Sequence, residues 1–535
     1  MRRKSILFIA VLFCQALWAA GQSQHIPIPS AVVEFSRGEA ARKIGNIVMA
    51  IDSFRKAVIL DPDFMDAVSA LVSAVKTALS RMSLELQTGS PGLRAIRELY
   101  LARAAAAPDN AVYQWAIAVL DDSPLQEMAE RYYRSAIAIE PKFIKAYEGL
   151  AATLSFRGDL QGERECLNKL REMQPGNMDA LALYAQRVLE ADPELGRKLT
   201  SELLKSVRHP AGADLLARLA AFDGNLNRRI ETLEQLKALY PASENDTTEW
   251  HMRFLFDAYN RTEPLKALSL AQEMLALMSP RSEAGRDWLV MSQYQQSLML
   301  ALSLMERKSY GEVVQELKKA APPYLISATP QAILQAQALD LAGKTDQAYQ
   351  AVVDVMARQP TDQLMPILAR YAEKRKKTSL QVEADLWAAR IRGARKMPDF
   401  ELASYGGTGN TRLSQFRGRV VLLDFWHPGS ITARDDLPHI RKMYDKYEAR
   451  GLTVITINTQ PTMWIAPFLM KRYPFLACRA PNSTWASREF GINTAPYYLL
   501  LDRDGRALHT PQFGSSDGQR TFELEVEALL AHKGK

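Results

Sequence analysis

Cysteine is nearly missing from this chain. Its 535 residues hold three, Cys14, Cys166 and Cys478, and no two of them form a C-x-x-C. That excludes a disulfide framework and a paired dithiol. Histidine is scarce too, with seven in all, and their spacing matches no established ligand set, so neither a metal nor another cofactor is expected. Charge of one sign is not in excess. The 67 Lys and Arg stand against 60 Asp and Glu, a net +7, which leaves no electrostatic footprint for nucleic acid. Beyond the first twenty-odd residues no apolar run is long enough to cross a bilayer. Gly406-Gly407-Thr408-Gly409 does not lead from a strand into a helix, so Ser404 to Asn410 reads as a hairpin turn and not as a phosphate loop.

What is present begins with an export signal. Arg2, Arg3 and Lys4 form a basic start, Ile6 to Phe13 an apolar core, and Ala19-Ala20-Gly21 supplies small residues for cleavage near Gln22. Gln15 breaks the apolar run, which is short for a membrane anchor. Phe13 is too bulky for a lipoprotein signal at Cys14. Residues 1–21 are therefore expected to be a signal peptide. The mature chain would be periplasmic or secreted, with no stable membrane span after cleavage.

Proline then recurs at a fixed interval. Pro141 and Pro175 are spaced by about 34 residues. Between them Tyr147, Leu150, Ala151 and Leu154 fit one helix, Gly158 a turn, and Leu167 and Leu170 a second helix. The preceding copy offers Tyr113, Ala116, Leu120, Ala129, Tyr133 and Ala136. Others run from Gly38 through Phe54 to Pro62 and from Ala336 through Val352 to Pro360. Small residues let paired helices approach, large ones fill the gap, and proline ends the second helix. The pattern resembles the tetratricopeptide family. Residues 180–323 continue it in looser register, and Gly89-Ser90-Pro91-Gly92 reads as a loop. The resemblance implies a concave face that binds a protein or peptide. The basic residues between 370 and 396 read as a solvated helix face leading to a linker, with a patch for an acidic partner as the other option.

Met397-Pro398-Asp399-Phe400 opens a β pattern. Val420 to Phe425 is an apolar run fit for a buried strand. Pro428-Gly429 makes a turn, and Ser430 stands where a helix N-cap belongs. Leu437, Ile440, Tyr444 and Tyr447 then share one helical face. Leu452 to Ile457 alternates as a strand, and Trp464 to Tyr473 reads as a helix. Phe475 to Cys478 and Tyr497 to Leu501 are further strands, with a short helix at Trp485 to Phe490.

The stretch Phe425-Trp426 through Arg434 to Pro438 resembles the active-site segment of the thioredoxin-like TlpA/ResA and redoxin (AhpC/TSA) class, F-W-A-T-W-C-x-P-C-R-x-E-x-P. The frame is in register, but Ser430 stands at the attacking cysteine and Ala433 at the resolving one. A hydroxyl cannot replace a thiolate in disulfide exchange. The resemblance implies a cis proline at Pro496, facing the lost thiols and able to present a peptide-docking edge, with Trp426 beside it.

Four residual chemistries remain to be weighed in the chain. Ser430 could act as a nucleophile with His427 or His439 and Asp435, although an N-cap role explains it. His427, His439 and the two aspartates could bind a metal. Cys478 could act as a lone thiol, although its apolar neighbours suit a packed cysteine, as does the helical setting of Cys166.

The expected fold is multidomain: an all-α tetratricopeptide-like solenoid over 22–395, then an α/β thioredoxin-like domain over 396–535. The expected function is binding or scaffolding outside the cytoplasm, with a redox-inactive domain. The rival is a thiol–disulfide oxidoreductase or peroxide reductase working through Cys478 or a partner's thiols. A third, structural role is that the C-terminal domain caps the open end of the solenoid.

Overall fold

The computed structural model describes residues 25–532, apart from 81–90, 122–126, 158, 190–191, 207, 280, 324, 406–408, 428–429, 461–464, 466–472, 483, 494 and 510–512. The expected signal peptide, the Pro428-Gly429 turn, the tip of the glycine-rich turn and most of the helix expected at 464–473 lie outside the described residues.

From Pro29 to Ile391 the described residues form helices only. The helix Ile47–Leu60 shows why. Asn46 caps it by accepting from the Met49 amide at 3.2 Å. Ala50, Phe54 and Ala57 are fully buried, and Gly38 of the preceding helix has no Cβ because one would lie 2.5 Å from the Phe54 ring. The same device recurs between Gly149 and Tyr133, where a Cβ would come within 2.3 Å of the ring. Within each unit most consecutive helices pack on one another. Alternate ones touch as well, as Met65–Ser80 does with Ala111–Val119 and that helix with Ile144–Phe156. Stacked helix pairs of this kind make a solenoid. One expectation fails: Pro91 and Gly92 do not lie in a loop but open the helix Pro91–Ala106. Proline is suited to a first helical turn, where its missing N–H costs nothing.

The chain divides into two compact units, Met1–Val188 and Leu189–Lys535. In the first, Lys145 bonds Asp66 at 2.6 Å and its ammonium sits 5.8 Å from the Trp115 ring centre. The helices Met65–Ser80, Ala111–Val119 and Ile144–Phe156 are thereby joined. The second unit holds the rest of the helices and the sheet. In it four residues of the basic run at 370–396 are ion-paired: Lys374 meets Asp340, Arg375 meets Asp346, Lys377 meets Asp385 and Arg392 meets Asp354. Arg370, Lys374, Lys376, Arg392, Arg395 and Lys396 are exposed, as a solvated face would have them.

The sheet has eight strands among the described residues. They are β1 (Arg395–Lys396), β2 (Glu401–Ser404), β3 (Asn410–Arg412), β4 (Val420–Phe425), β5 (Leu452–Asn458), β6 (Leu476–Arg479), β7 (Tyr497–Leu501) and β8 (Arg506–His509). Their order is β1-β8-β7-β4-β5-β6-β2-β3. The β4, β5 and β6 strands are parallel; β7 runs antiparallel to β4, and β2 to β6. Every residue of β4 and β5 is buried, so β5 does not alternate as expected. Central parallel strands are covered on both faces, which removes the need for an outward polar set. Val420, Leu422 and Trp426 serve one core with Leu437, Ile440 and Phe522. Val421, Leu423 and Phe425 serve the other with Trp485 and Phe490.

The last helix, Ser516–Ala531, fastens the sheet domain to the helices of the same unit. Arg229, almost fully buried, donates to Asp517 at 2.7 Å and to the Ser516 hydroxyl at 2.8 Å. Arg261 also bonds Asp517, and Arg520 holds both oxygens of Asp362 at 2.9 Å. At the other end the His532 ring stacks on Trp387 with centres 3.6 Å apart.

Candidate functional site

The candidate site forms where β4 ends. Buried β4 delivers Trp426 and His427 to the carboxyl edge of the sheet, where α/β folds place their chemistry. Trp426 is 3% exposed; its amide donates to Ile457 at 3.2 Å and its carbonyl accepts from Asn458 at 2.6 Å. The Ser430 hydroxyl accepts from the Ala433 amide at 3.2 Å and so caps the helix Ile431–Tyr447. The Ser430 amide donates to the His427 carbonyl at 2.9 Å. Ala433 is 1% exposed, packed in the same core as Trp426. The Ala495–Pro496 peptide bond is cis. Pro496 immediately precedes β7, whose first residue Tyr497 pairs with Phe425. Trp426 and Pro496 therefore lie at the same end of the sheet.

The other sequence candidates do not assemble around Ser430. His439 lies nine residues further along its helix, about 13 Å at a rise of 1.5 Å per residue, with its ring 5.5 Å from Phe513. Burial, then the nearby Lys442 charge, lowers its pKa to about 4. His427 is exposed at the turn, and desolvation lowers it as well. The Asp435 side chain lies outside the described residues. Among those residues one cluster of three has metal-ligand types, His25, Asp61 and Asp63, and it lies in the first unit. There the Asp61 carboxylate already accepts from His25, the Ile28 amide and the Asp63 amide.

Neither remaining cysteine offers a thiolate. Cys478 sits in β6 with no exposed surface, and burial raises its pKa, only partly offset by a hydrogen bond involving Thr411. Burial pushes Cys166 up to about 11.

A buried acid pair underlies the cap. Asp424 of β4 is 1% exposed, and Asp436 of the covering helix 3%. Tyr498, opposite Asp424 in the β4–β7 register, donates its hydroxyl to Asp436 at 2.7 Å. Neither oxygen of Asp424 has a hydrogen-bond partner among the described residues. Burial first, and Asp436 second, push the Asp424 pKa upward, which favours its protonated form. The sequence reading passed over both Asp424 and Tyr498. The visible signal was a carboxylate inside the apolar run Val420 to Phe425.

This geometry can be set beside known proteins. Residues 394–510 match the AhpC/TSA family. They form a redoxin-type, thioredoxin-like domain. Over 136 residues the chain is 22% identical to the thiol-disulfide oxidoreductase ResA of Bacillus thuringiensis, covering 25% of this chain and 75% of that protein. Over 127 residues it is 32% identical to protein DipZ of Mycobacterium bovis, covering 22% of this chain but 18% of DipZ. Among solved structures, a thiol:disulfide interchange protein of the thioredoxin family from Chlorobium tepidum is similar, with 16% identity and a TM-score of 0.23. The match covers 26% of this chain and 97% of that one.

Proposed function

We propose that the protein is an exported binding or scaffold protein. Its tetratricopeptide-like repeats hold a protein or peptide partner, and its thioredoxin-like domain has given up disulfide chemistry. The observation that carries this reading is the Ser430–Ala433 pair. One hydroxyl is committed to capping a helix and one methyl is packed in the core, at the two positions where exchange requires thiols. The frame itself supports retention as a docking surface, with Trp426 and Pro496 at the edge of the sheet. An extended segment could pair with backbone there, as in other strand-addition modes.

The competing reading, a one-thiol oxidoreductase acting through Cys478, requires an accessible thiolate. The burial of Cys478 and the direction of its pKa oppose it.

One assay separates the two. The mature protein, its Cys478→Ser variant and the double variant Ser430→Cys/Ala433→Cys are compared in dithiothreitol-driven insulin reduction. Scaffolding predicts background rates for the first two and gained activity in the double variant. Turnover by the wild-type chain that disappears in Cys478→Ser would overturn it.

A further inference from the structure

Among the described residues 23 large hydrophobic side chains are exposed, and nine of them fall between Ile26 and Leu60. That stretch holds the first two described helices, Pro29–Lys43 and Ile47–Leu60. Ile26 is 81% exposed, Ile44 78% and Val48 81%. On the first helix Val33, Ala40 and the C-cap residue Ile44 are all exposed and share one face by their helical spacing. Asp61 accepts from His25 at 2.7 Å and from the Ile28 amide at 2.8 Å. Residues 25–28 are thereby tied to the end of the second helix, where Ile59 and Leu60 are exposed. The terminal repeat of a soluble array needs a polar outer face, and this helix pair presents an apolar one.

Charge and area select what covers it. Glu34 pairs with Arg37 at 2.6 Å, Glu39 with Arg42 at 2.7 Å, and Asp52 with both Arg55 and Lys56 at 2.8 Å. Of the cations in the stretch only Lys43 has no ion pair among the described residues. An anionic membrane or an acidic protein is drawn by free cations, and this face offers one. Nine side chains at roughly 100 Å² each exceed the largest apolar patch of a typical monomer, about 300–600 Å². They reach the about 800 Å² per partner of a standard interface. Homodimer interfaces are the more apolar class, with charge kept from their core. A second copy brings the same face, and a two-fold axis lets each cover the other.

We propose that the protein forms a two-fold homodimer through this face, with Val33, Ala40 and Ile44 at its centre. The pairing joins the first unit of one chain to the first unit of the other. Each assembly then carries two helical arrays.

Sedimentation velocity of the mature full-length protein, from about 1 to about 100 μM, tests this. The wild type should sediment as a dimer. Val33→Glu/Ile44→Glu changes two exposed positions, which the fold tolerates. It should be monomeric throughout, with unchanged circular dichroism. Ala40→Lys, on the same face, should weaken the dimer by about tenfold or more. Leu380→Glu, at a leucine 78% exposed outside the face, should stay dimeric. A wild type that is monomeric at about 100 μM, a dimer that survives Val33→Glu/Ile44→Glu, or one that Leu380→Glu also breaks would overturn the proposal. So would a monomeric wild type that floats with phosphatidylglycerol vesicles, which would assign the face to a membrane.

Discussion

The Arg229 guanidinium donates to the Asp517 carboxylate at 2.7 Å, joining residues 288 apart in the sequence. Arg229 comes from the repeat helices and Asp517 from the first turn of the final helix of the sheet domain. Arg261 converges on the same carboxylate, while a second residue of that turn, Ser516, accepts from Arg229 and donates to the Asp223 carbonyl at 3.2 Å. The thioredoxin-like domain is thus built onto the helices from Leu189 onward. In this unit the helices and the sheet share one folding fate.

Removing Arg229 should show this coupling. Arg229→Met leaves Asp517 with Arg261 alone and breaks a network that is buried on the arginine side. The Asp517 side chain is 45% exposed, so water screens part of the loss. About 1–2 kcal/mol is expected, between the surface and buried limits. Denaturant unfolding should move both the helical signal and the sheet-domain tryptophan signal to lower midpoints together. Two separated transitions would contradict a shared unit.

Acid should loosen the second unit in two stages. His439 has its pKa lowered to about 4 from 6.5. The unfolded chain therefore takes up a proton first, and stability declines as pH falls from about 6.5 to about 4. Burial opposes ionisation of Asp517, yet Arg229 and Arg261 outweigh it and hold its pKa to about 2. Its stabilisation is complete above the ordinary carboxylate value and is lost as pH falls toward about 2. Urea midpoints measured from pH 8 to pH 2 should show both declines. His439→Gln should remove the upper one and Asp517→Asn the lower.

Much of the architecture was legible because it rests on local rules. The strand Tyr497–Leu501 and the helix Trp485–Phe490 have the bounds their residues implied, and Ser430 is the cap its position announced. The small-and-large pattern of Gly38, Phe54 and Ala57 could be read because it encodes packing between neighbours in the chain. What could not be read depends on distant register. Asp424 becomes part of an acid pair only once β7 brings Tyr498 opposite and the helix Ile431–Tyr447 lays Asp436 over it. The full burial of β5 follows from its place between β4 and β6, which no spacing within Leu452–Asn458 contains. The pairing of the basic run with Asp340, Asp346 and Asp354 likewise needed the helices to be stacked.

The buried acid pair makes a stability prediction of the opposite sign to Asp517. Asp424 has its pKa raised by burial and then by Asp436. Folding therefore favours its protonated form, and stability is lost as pH rises from the unfolded value through the folded one. Asp424→Asn cannot ionise and keeps the shape. It should match the wild type near pH 4 and exceed it increasingly toward alkaline pH, the gap widening by up to about 1.4 kcal/mol per pH unit while the wild-type group stays protonated. Thermal melts of the two proteins from pH 4 to pH 9 give this difference. Parallel curves would mean that Asp424 is ionised throughout.

A thiol placed at Ser430 should differ in reactivity from Cys166 and Cys478. Cys478 has no exposed surface and Cys166 is buried on a helix, with both pKa values raised by burial. Reaction with iodoacetamide requires a thiolate that can be reached. The folded mature protein should therefore be modified slowly, and denaturant should release each cysteine as its own unit unfolds. Ser430→Cys places sulfur at the N-cap of Ile431–Tyr447, where free amides and the helix dipole favour the anion. That thiol should have a pKa below the ordinary value of about 8.5 and react in the folded state while Cys166 and Cys478 stay silent. Mass spectrometry of peptides carrying each cysteine reads all three rates in one experiment. An introduced thiol that reacts no faster than Cys478 would mean that this turn does not activate a thiol, and the gain of disulfide activity proposed for the double variant Ser430→Cys/Ala433→Cys would then fail for a reason that lies in the turn.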